Sequence, residues 1–393
     1  MQINRAYKTK LRPTVEQRRY FAGCAGAARY VFNWALADRK ATFDAGGKPN
    51  KFEQKKRFNS IKDELCPWIR EYPYKLAEEE FDHVDVAYKN FFRRINAGKT
   101  GKDAGFPKFK SKHRDKQSFT LRDSICIENG RIRLPRIGWV NLAENGYLPT
   151  DEVKINFVTI SERAGEWFVS AQVEESIDVP ETTNETIGVD VGIKSSAVLS
   201  DGRSFDAPKT LYKYEKKLAR LQRELSRRKK GSSNRAKTKA KIAKLYQKIT
   251  NIRTHHLHNV SKATVDNQPS AIAIEDLNIK GMMKNGRLSK ALADASMGEL
   301  HRQIEYKAGW NGAEIVKVDR FYPSSKTCSG CGCIKNDLTL GDRTYKCPHC
   351  GLEIDRDLNA ALNLAAYGEG VKRAGLPVEL GGLPLTMKQE GGR

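Results

Sequence analysis

The stretch Thr186–Phe205, "TIGVDVGIKSSAVLSDGRSF", reads as strand, glycine turn, strand, polar turn and strand. Asp190 stands in its first apolar run, where an ionised carboxylate is costly unless it is paired or metal-bound. A second run of the same kind, "AIAIEDL" at 271–277, carries Glu275 at its end. Neither strand brings a lysine or arginine of its own. If the two strands are neighbours in one sheet, their carboxylates converge, and like charges about 4 Å apart repel by about 4 kcal/mol at an effective dielectric near 20. Divalent cations remove that repulsion. Two Mg²⁺ ions roughly 3.5–4 Å apart would also activate a water and stabilise the leaving 3′ oxygen of a phosphodiester.

A third acid comes from "EIDRDLNAA" at 353–361. A helix beginning near Asp355 makes that residue the N-cap and puts Asp357 in the first turn, where the helix dipole favours its ionised form. A helix start shifted by two residues exchanges the two roles. Ala360, Ala361 and Ala365 give this helix a small-residue face that can approach a sheet closely. Glu353 precedes the helix and is expected to close the cysteine-rich segment just before it.

That segment holds five of the eight cysteines; Cys24, Cys66 and Cys126 are scattered elsewhere. "CSGC" (Cys328, Cys331) and "CPHC" (Cys347, Cys350) are two C-x2-C knuckles separated by fifteen residues. This is the spacing by which four thiolates bind one tetrahedral zinc, with no open coordination position, so the ion is expected to be structural. Cys333 is a spare, and His349 is a possible competitor. The clustering suggests metal ligation in a reducing compartment, not disulfides.

Seventy Lys+Arg against 47 Asp+Glu give a net charge of +23, a surplus that calls for a polyanionic partner, nucleic acid above all. The basic segment 209–265 is punctuated by Leu211, Leu218, Leu221, Leu225, Ile242, Leu245, Ile249 and Ile252, which fits two helices joined near "KKGSSN". Acids are sparse there, so a phosphate-tracking hairpin is expected. No run approaches the ~18 apolar residues of a membrane span, and the start lacks an apolar signal core. A soluble, cytoplasmic protein is expected.

Towards the N-terminus, residues 1–12 read as a basic strand and 13–112 as helical. In the first helix Tyr20, Cys24, Ala27, Ala28, Val31, Trp34 and Ala35 share one face. From 113 to 182 the pattern alternates, predicting a β-rich domain, a barrel that recruits the N-terminal strand. Residues 369–393 have little periodicity and read as a flexible tail.

In combination, "GVDVGIKSSAVLSDG", "IAIEDLNIKGM", "YPSSKTCSGCGCIKN", "YKCPHCG" and "DRDLNAALNL" resemble the TnpB family, transposon-encoded RNA-guided nucleases related to the Cas12 effectors. "GAARYVFNWAL", "AYKNFFRR", "GFPKFK" and "LPRIGWV" look like the same family, so the likeness covers most of residues 1–367 and is weakest over 41–80. It implies a multidomain α+β protein: an RNase H-like RuvC α/β nuclease domain at 183–321 and 353–368 with a zinc ribbon inserted at 322–352. A β-barrel wedge domain (1–12 and 113–182) would carry an inserted helical recognition domain at 13–112. The family's Asp, Glu, Asp triad falls on Asp190, Glu275 and Asp357, with two catalytic Mg²⁺, and its zinc ligands on Cys328, Cys331, Cys347 and Cys350. The implied partners are a guide RNA from the transposon end and double-stranded target DNA beside a short motif, bound by a monomer. Candidate nucleic-acid contacts are Tyr30, Trp34, Phe91, Arg93, Arg94, Phe106, Lys108 and Phe109, with Arg227, Arg228, Lys229 and Lys230 at the hairpin tip. A strand-transferring transposase and a nuclease-inactive RNA-guided repressor are the alternatives, and the intact triad speaks against the second.

Overall fold

The computed structural model describes residues 1–128, 130–150, 153–183, 185–339, 341–374 and 379–380. It divides into two compact units, one of Gln2–Ser176 and one of Met1 with Ile177 onward.

In the first unit, β1 (Gln2–Arg12) leads into α1 (Val15–Asp44), whose start is fixed by a capping box: Thr14 Oγ1 accepts from Gln17 N–H and Gln17 Oε1 from Thr14 N–H. Helices α2 (Lys51–Leu65), α3 (Tyr74–Asn96) and α4 (Gly101–Ala104) follow. Then come β2 (Ser118–Leu121), β3 (Cys126–Glu128), β4 (Arg131–Leu134), β5 (Gly138–Leu142), β6 (Lys154–Arg163) and β7 (Glu166–Ser176). The sheet order is β2-β6-β7-β1-β5-β4-β3. Strand β1 pairs with β7 over Gln2–Lys10 and passes to β5 at Leu11 and Arg12, so the N-terminal strand is central and the helices interrupt the sheet in sequence. Alternate residues Val158 and Ile160 of β6 and Val169, Ala171 and Val173 of β7 are buried, the period a one-sided sheet requires. Among the described residues β2 and β3, at the two ends, do not pair with each other. Hydrogen bonding therefore leaves open the barrel expected from the alternation, and the end strands, of four and three residues, are short.

The second unit begins with β8 (Thr186–Asp190), β9 (Ser195–Leu199) and β10 (Ser204–Asp206), followed by α5 (Thr210–Arg227) and α6 (Ser233–Val265). Next are β11 (Ala271–Glu275), α7 (Ile279–Met282), α8 (Ser289–Ala295), α9 (Met297–Trp310) and β12 (Glu314–Val318). The last elements are β13 (Thr344–Lys346), β14 (Glu353–Asp355), α10 (Arg356–Arg373) and β15 (Glu379–Leu380). A six-stranded sheet has the order β10-β9-β8-β11-β12-β15, with β8, β11 and β12 parallel.

Helices cover both faces, which is why these strands read as continuous apolar runs instead of alternating ones. Ile187, Val189, Ile272 and Ile274 pack with Leu257 and Val260 of α6 and with Leu300 and Ile304 of α9. The opposite face is lined by small residues: Ala271 and Ala273 meet Leu364 of α10. A Cβ on Gly188 would collide with the Ala361 carbonyl oxygen, and a Cβ on Gly368 would fall 2.9 Å from Thr186 Cγ2 and 3.0 Å from Ala273 Cβ. Glycine and alanine on both surfaces let α10 lie almost on the sheet.

The flexible tail expected from 369 is corrected in part. Helix α10 continues to Arg373 because Tyr367 and Val371 pack against the sheet, and Gly368, which looks like a helix breaker, is a contact point. Backbone pairing of β15 with β12 extends order to 379–380, while 375–378 and 381–393 lie outside the described residues.

Candidate functional site

Parallel pairing of β8 with β11 sets Val189 opposite Ile274. Asp190 and Glu275, each the next residue and the last of its strand, therefore leave the sheet side by side at its carboxyl edge. Helix α10 supplies the third acid. Its N-cap is Asp355, whose Oδ1 accepts from Asp357 N–H at 2.9 Å and Leu358 N–H at 3.1 Å. With both bonds in place Asp357 lies in the first turn. Glu353 belongs to β14 and is ion-paired to Lys346 Nζ at 2.9 Å.

Burial pushes the Asp190 carboxyl up to about 8; the neighbouring Glu275 and Asp357 carboxylates push the same way, and Arg356 opposes them. Both effects disfavour the charged form, and a bound cation would relieve the same repulsion. The donors are all carboxylate oxygens, the chemistry of hard cations such as Mg²⁺. Among the described residues, the group of three or more potential ligands within 4.8 Å of one another is Cys328, Cys331, Cys347 and Cys350.

Two partners that the sequence does not reveal orient these acids. Ser324 Oγ donates to Glu275 Oε1 at 2.7 Å, and Arg356 Nη2 donates to Asp357 Oδ1 at 3.1 Å. The cation that the two strands lack comes from the start of α10, a residue visible in "DRD" whose partner the sequence alone does not assign.

The four cysteine sulfurs fit a tetrahedral thiolate site. Cys328 and Cys350 Sγ are 3.6 Å apart, as are Cys331 and Cys347 Sγ, against about 3.8 Å for the edge of a tetrahedron with ~2.3 Å Zn–S bonds. Backbone N–H groups of Cys350 and His349 help push the Cys347 thiol down to about 6. Cys333 packs beside the cluster with Tyr345, which is fully buried in the two-stranded β13–β14 ribbon.

The ribbon is tied to α10 by two buried asparagines. Asn359 Oδ1 accepts from Ser329 N–H and its Nδ2 donates to Thr327 O, while Asn363 Nδ2 donates to Ser324 O and Thr327 O. The signal for this tether is present in the sequence: two asparagines at i and i+4 on a helix face that is otherwise alanine and leucine.

The basic hairpin packs Leu218 and Leu221 of α5 against Leu245 and Ile249 of α6. At its tip Arg227, Lys229 and Lys230 are exposed, whereas Arg228 is half-buried and ion-paired to Glu224. In the first unit Arg93 and Lys108 are exposed, and Arg94 Nη1 donates to Ala104 O. Tyr30 and Trp34 are half-buried, with rings 5.2 Å from Trp68 and 4.9 Å from Phe58 respectively, so both are engaged in core packing. Phe91 sits against Phe92 and Phe106, while Phe106 and Phe109 are about half exposed, at 48% and 52%.

A solved structure described as a Cas12f1–sgRNA–target DNA complex aligns with 93% of this chain and 99% of its own, with a TM-score of 0.58 at 14% identity. The protein thus has a Cas12-like mixed α+β fold. Three sequence profiles match: a probable transposase profile, IS605 OrfB, over 168–286, a Cas12f1-like TNB domain over 298–364 and a helix-turn-helix domain over 1–48. In this chain that last segment forms β1 and α1. A Streptomyces pristinaespiralis protein named "Putative RNA-guided DNA endonuclease" is 34% identical over 95% of this chain and 92% of its own. Escherichia coli (strain K12) InsQ, which carries the same name, is 34% identical over 98% and 96%. The chain belongs to the TnpB family, the OrfB proteins of IS605-type elements.

Proposed function

We propose that the protein is an RNA-guided DNA endonuclease of a transposable element, cutting both strands of guide-matched DNA at one site. The observation that carries this reading is the convergence of Asp190 and Glu275 at the carboxyl edge of adjacent parallel strands, with Asp357 on the helix packed across them. The order of the sheet, with β10, β9 and β8 antiparallel and β8, β11 and β12 parallel, supports an RNase H-like, RuvC-type domain. The relatives' names support RNA guidance.

Asp190, Glu275 and Asp357 would hold two Mg²⁺ ions, which when bound would activate the attacking water and stabilise the leaving 3′ oxygen. Ser324 keeps Glu275 turned toward the site, and Arg356 holds the Asp357 carboxylate until nucleic acid and cations arrive. Cys328, Cys331, Cys347 and Cys350 would bind one structural Zn²⁺, and the two asparagines transmit that rigidity to α10. Arg93, Lys108, Arg227, Lys229 and Lys230 are the exposed cations proposed to meet guide or heteroduplex phosphates.

The test is to purify the protein from cells, sequence the co-purified RNA, change its variable end and assay cleavage of DNA matched to the new guide. Redirected cutting, lost in Asp190→Ala while RNA binding persists, is expected. Cleavage by Asp190→Ala would sink the assigned site. The probable transposase description of the matched profile favours strand transfer as a second reading, which joined products formed without RNA would establish.

A further inference from the structure

The second unit contains a cavity of about 300 Å³, at the lower end of the size of small-molecule pockets. Its walls are largely apolar: Ile193, Pro208, Leu211, Ala291 and Ala295. The Tyr212 ring stands at the rim, 77% exposed, in the first turn of α5. Water around so much aromatic surface is unfavourable, and nothing in the packing of α5 requires the ring there, since Leu218 and Leu221 hold the hairpin together.

Charge distinguishes the occupant. Lys209 and Arg287 are exposed at the rim, and Lys290 joins them, ion-paired to Glu215. The acid in the wall, Asp294, is already engaged: one oxygen accepts from Leu211 N–H at 2.9 Å and the other from Arg253 at 3.0 Å. The mouth is therefore cationic and the interior apolar. Flat aromatic rings strung on phosphates match both properties. A paired base is buried in its own stack, so the occupant must be unpaired. Ile193 is three residues beyond Asp190, which places its Cα within about 11 Å of the acid's at full extension. A strand with its scissile phosphate at Asp190 needs only a few nucleotides to span that distance.

We propose that the cavity is a nucleotide subsite for single-stranded DNA, with one base on the Tyr212 ring and Lys209, Arg287 and Lys290 on the flanking phosphates. The inference rests on reading the carboxylates as the nuclease centre, which identifies DNA as the strand presented there. Tyr212 is a positioning residue in this arrangement: it holds the strand in register and touches no reacting atom.

The experiment uses full-length Asp190→Ala protein and a dodecamer of thymidylate carrying one 4-thiothymidine, irradiated and mapped by mass spectrometry. An adduct at Tyr212 or its neighbours on α5 is expected, lost in Tyr212→Ala and kept in Tyr212→Trp. Dodecamer affinity should fall about tenfold in Tyr212→Ala. Ala291→Phe, which plugs the cavity and leaves every surface charge in place, should also abolish the adduct. Crosslinking confined to residues 227–239, an unchanged adduct in Ala291→Phe, or stronger crosslinking to the matching 4-thiouridine RNA would overturn the proposal. Guide-directed cutting by the wild type with no adduct defeats the subsite alone; an adduct without any cutting defeats the nuclease reading alone.

Discussion

Gly188 of β8 lies directly against Ala361 of α10, so close that a Cβ on the glycine would collide with the alanine's carbonyl oxygen and fall 2.6 Å from Ala365 N. This contact sets the distance between the sheet that carries Asp190 and the helix that carries Asp357. Helix backbone cannot swing aside as a side chain can, so Gly188→Ala should force α10 outward at a cost of about 1–3 kcal/mol or more. Gly370, on the same helix, is the control: a Cβ there would meet nothing within 4 Å, and Gly370→Ala should stabilise by about 0.5–1 kcal/mol. Thermal unfolding with a parallel cleavage assay checks both. Wild-type melting in Gly188→Ala would show that this spacing does not matter.

The carboxylates, the cysteine knuckles and the basic hairpin are legible in the sequence because each breaks a local rule: an acid in an apolar strand, paired C-x2-C, many cations among few acids. Parallel pairing of β8 with β11 is only a condition there, since register between strands eighty residues apart depends on tertiary contacts. Ser324 and Arg356 are not legible, because a hydroxyl and a guanidinium acquire their roles only from the carboxylates that folding brings to them. Whether the sheet of the first unit closes, and where α10 ends, escape the sequence for a related reason. Alternation reports which face is buried but not whether a sheet closes, and glycine reports flexibility unless a close neighbour, here Thr186 and Ala273, explains it.

Removal of the zinc proposed for the ribbon should loosen the helix start before it unfolds the sheet. Cys331→Ser, or treatment with a strong chelator, is expected to increase amide exchange across 324–360 and to reduce cleavage, while the β8–β11 core retains its protection. Hydrogen-exchange mass spectrometry reads both regions in one experiment. Uniform loss of protection would mean that the ribbon supports the whole unit and not the helix start.

His301 on α9 should give the protein an acid limb. Burial pushes its pKa down to about 4, Asp276 partly offsets this, Lys317 adds to the depression, and Nε2 is buried with no hydrogen-bond partner among the described residues. An unfolded histidine near 6.5 binds the proton that the folded one refuses, so stability is full above about 6.5 and falls as pH drops toward 4. Between pH 7 and 5 the loss should be of the order of 2 kcal/mol. His301→Leu should flatten that part of the pH–stability curve, as followed by urea unfolding. An equally steep curve in the variant would assign the acid limb to other groups.

At the hairpin tip, Lys229→Ala with Lys230→Ala should weaken RNA binding uniformly across guide sequences and leave the fold intact, since both side chains are exposed and α5 and α6 are joined by leucines and isoleucine elsewhere. Each phosphate contact removed should lower the slope of log affinity against log salt by about 0.7–0.9. Filter binding over a range of salt concentrations measures this directly, and an unchanged slope would place the RNA on another surface.

The two aspartates of "DRD" should separate cleanly in their effects. Asp355 spends its carboxylate on Asp357 N–H and Leu358 N–H, so Asp355→Ala removes a cap and should cost about 0.5–2 kcal/mol. Cleavage should drop only as far as the frayed first turn misplaces Asp357, and Asp355→Ser, which still caps, should recover most of it. Asp357→Ala removes the proposed ligand itself; it leaves both cap bonds available and should abolish cutting with little change in melting temperature. Single-turnover cleavage and thermal unfolding of the three variants give the comparison. If Asp355→Ser is as inactive as Asp357→Ala while melting like the wild type, the Asp355 carboxylate is itself a ligand, and α10 presents two acids to the metals instead of one.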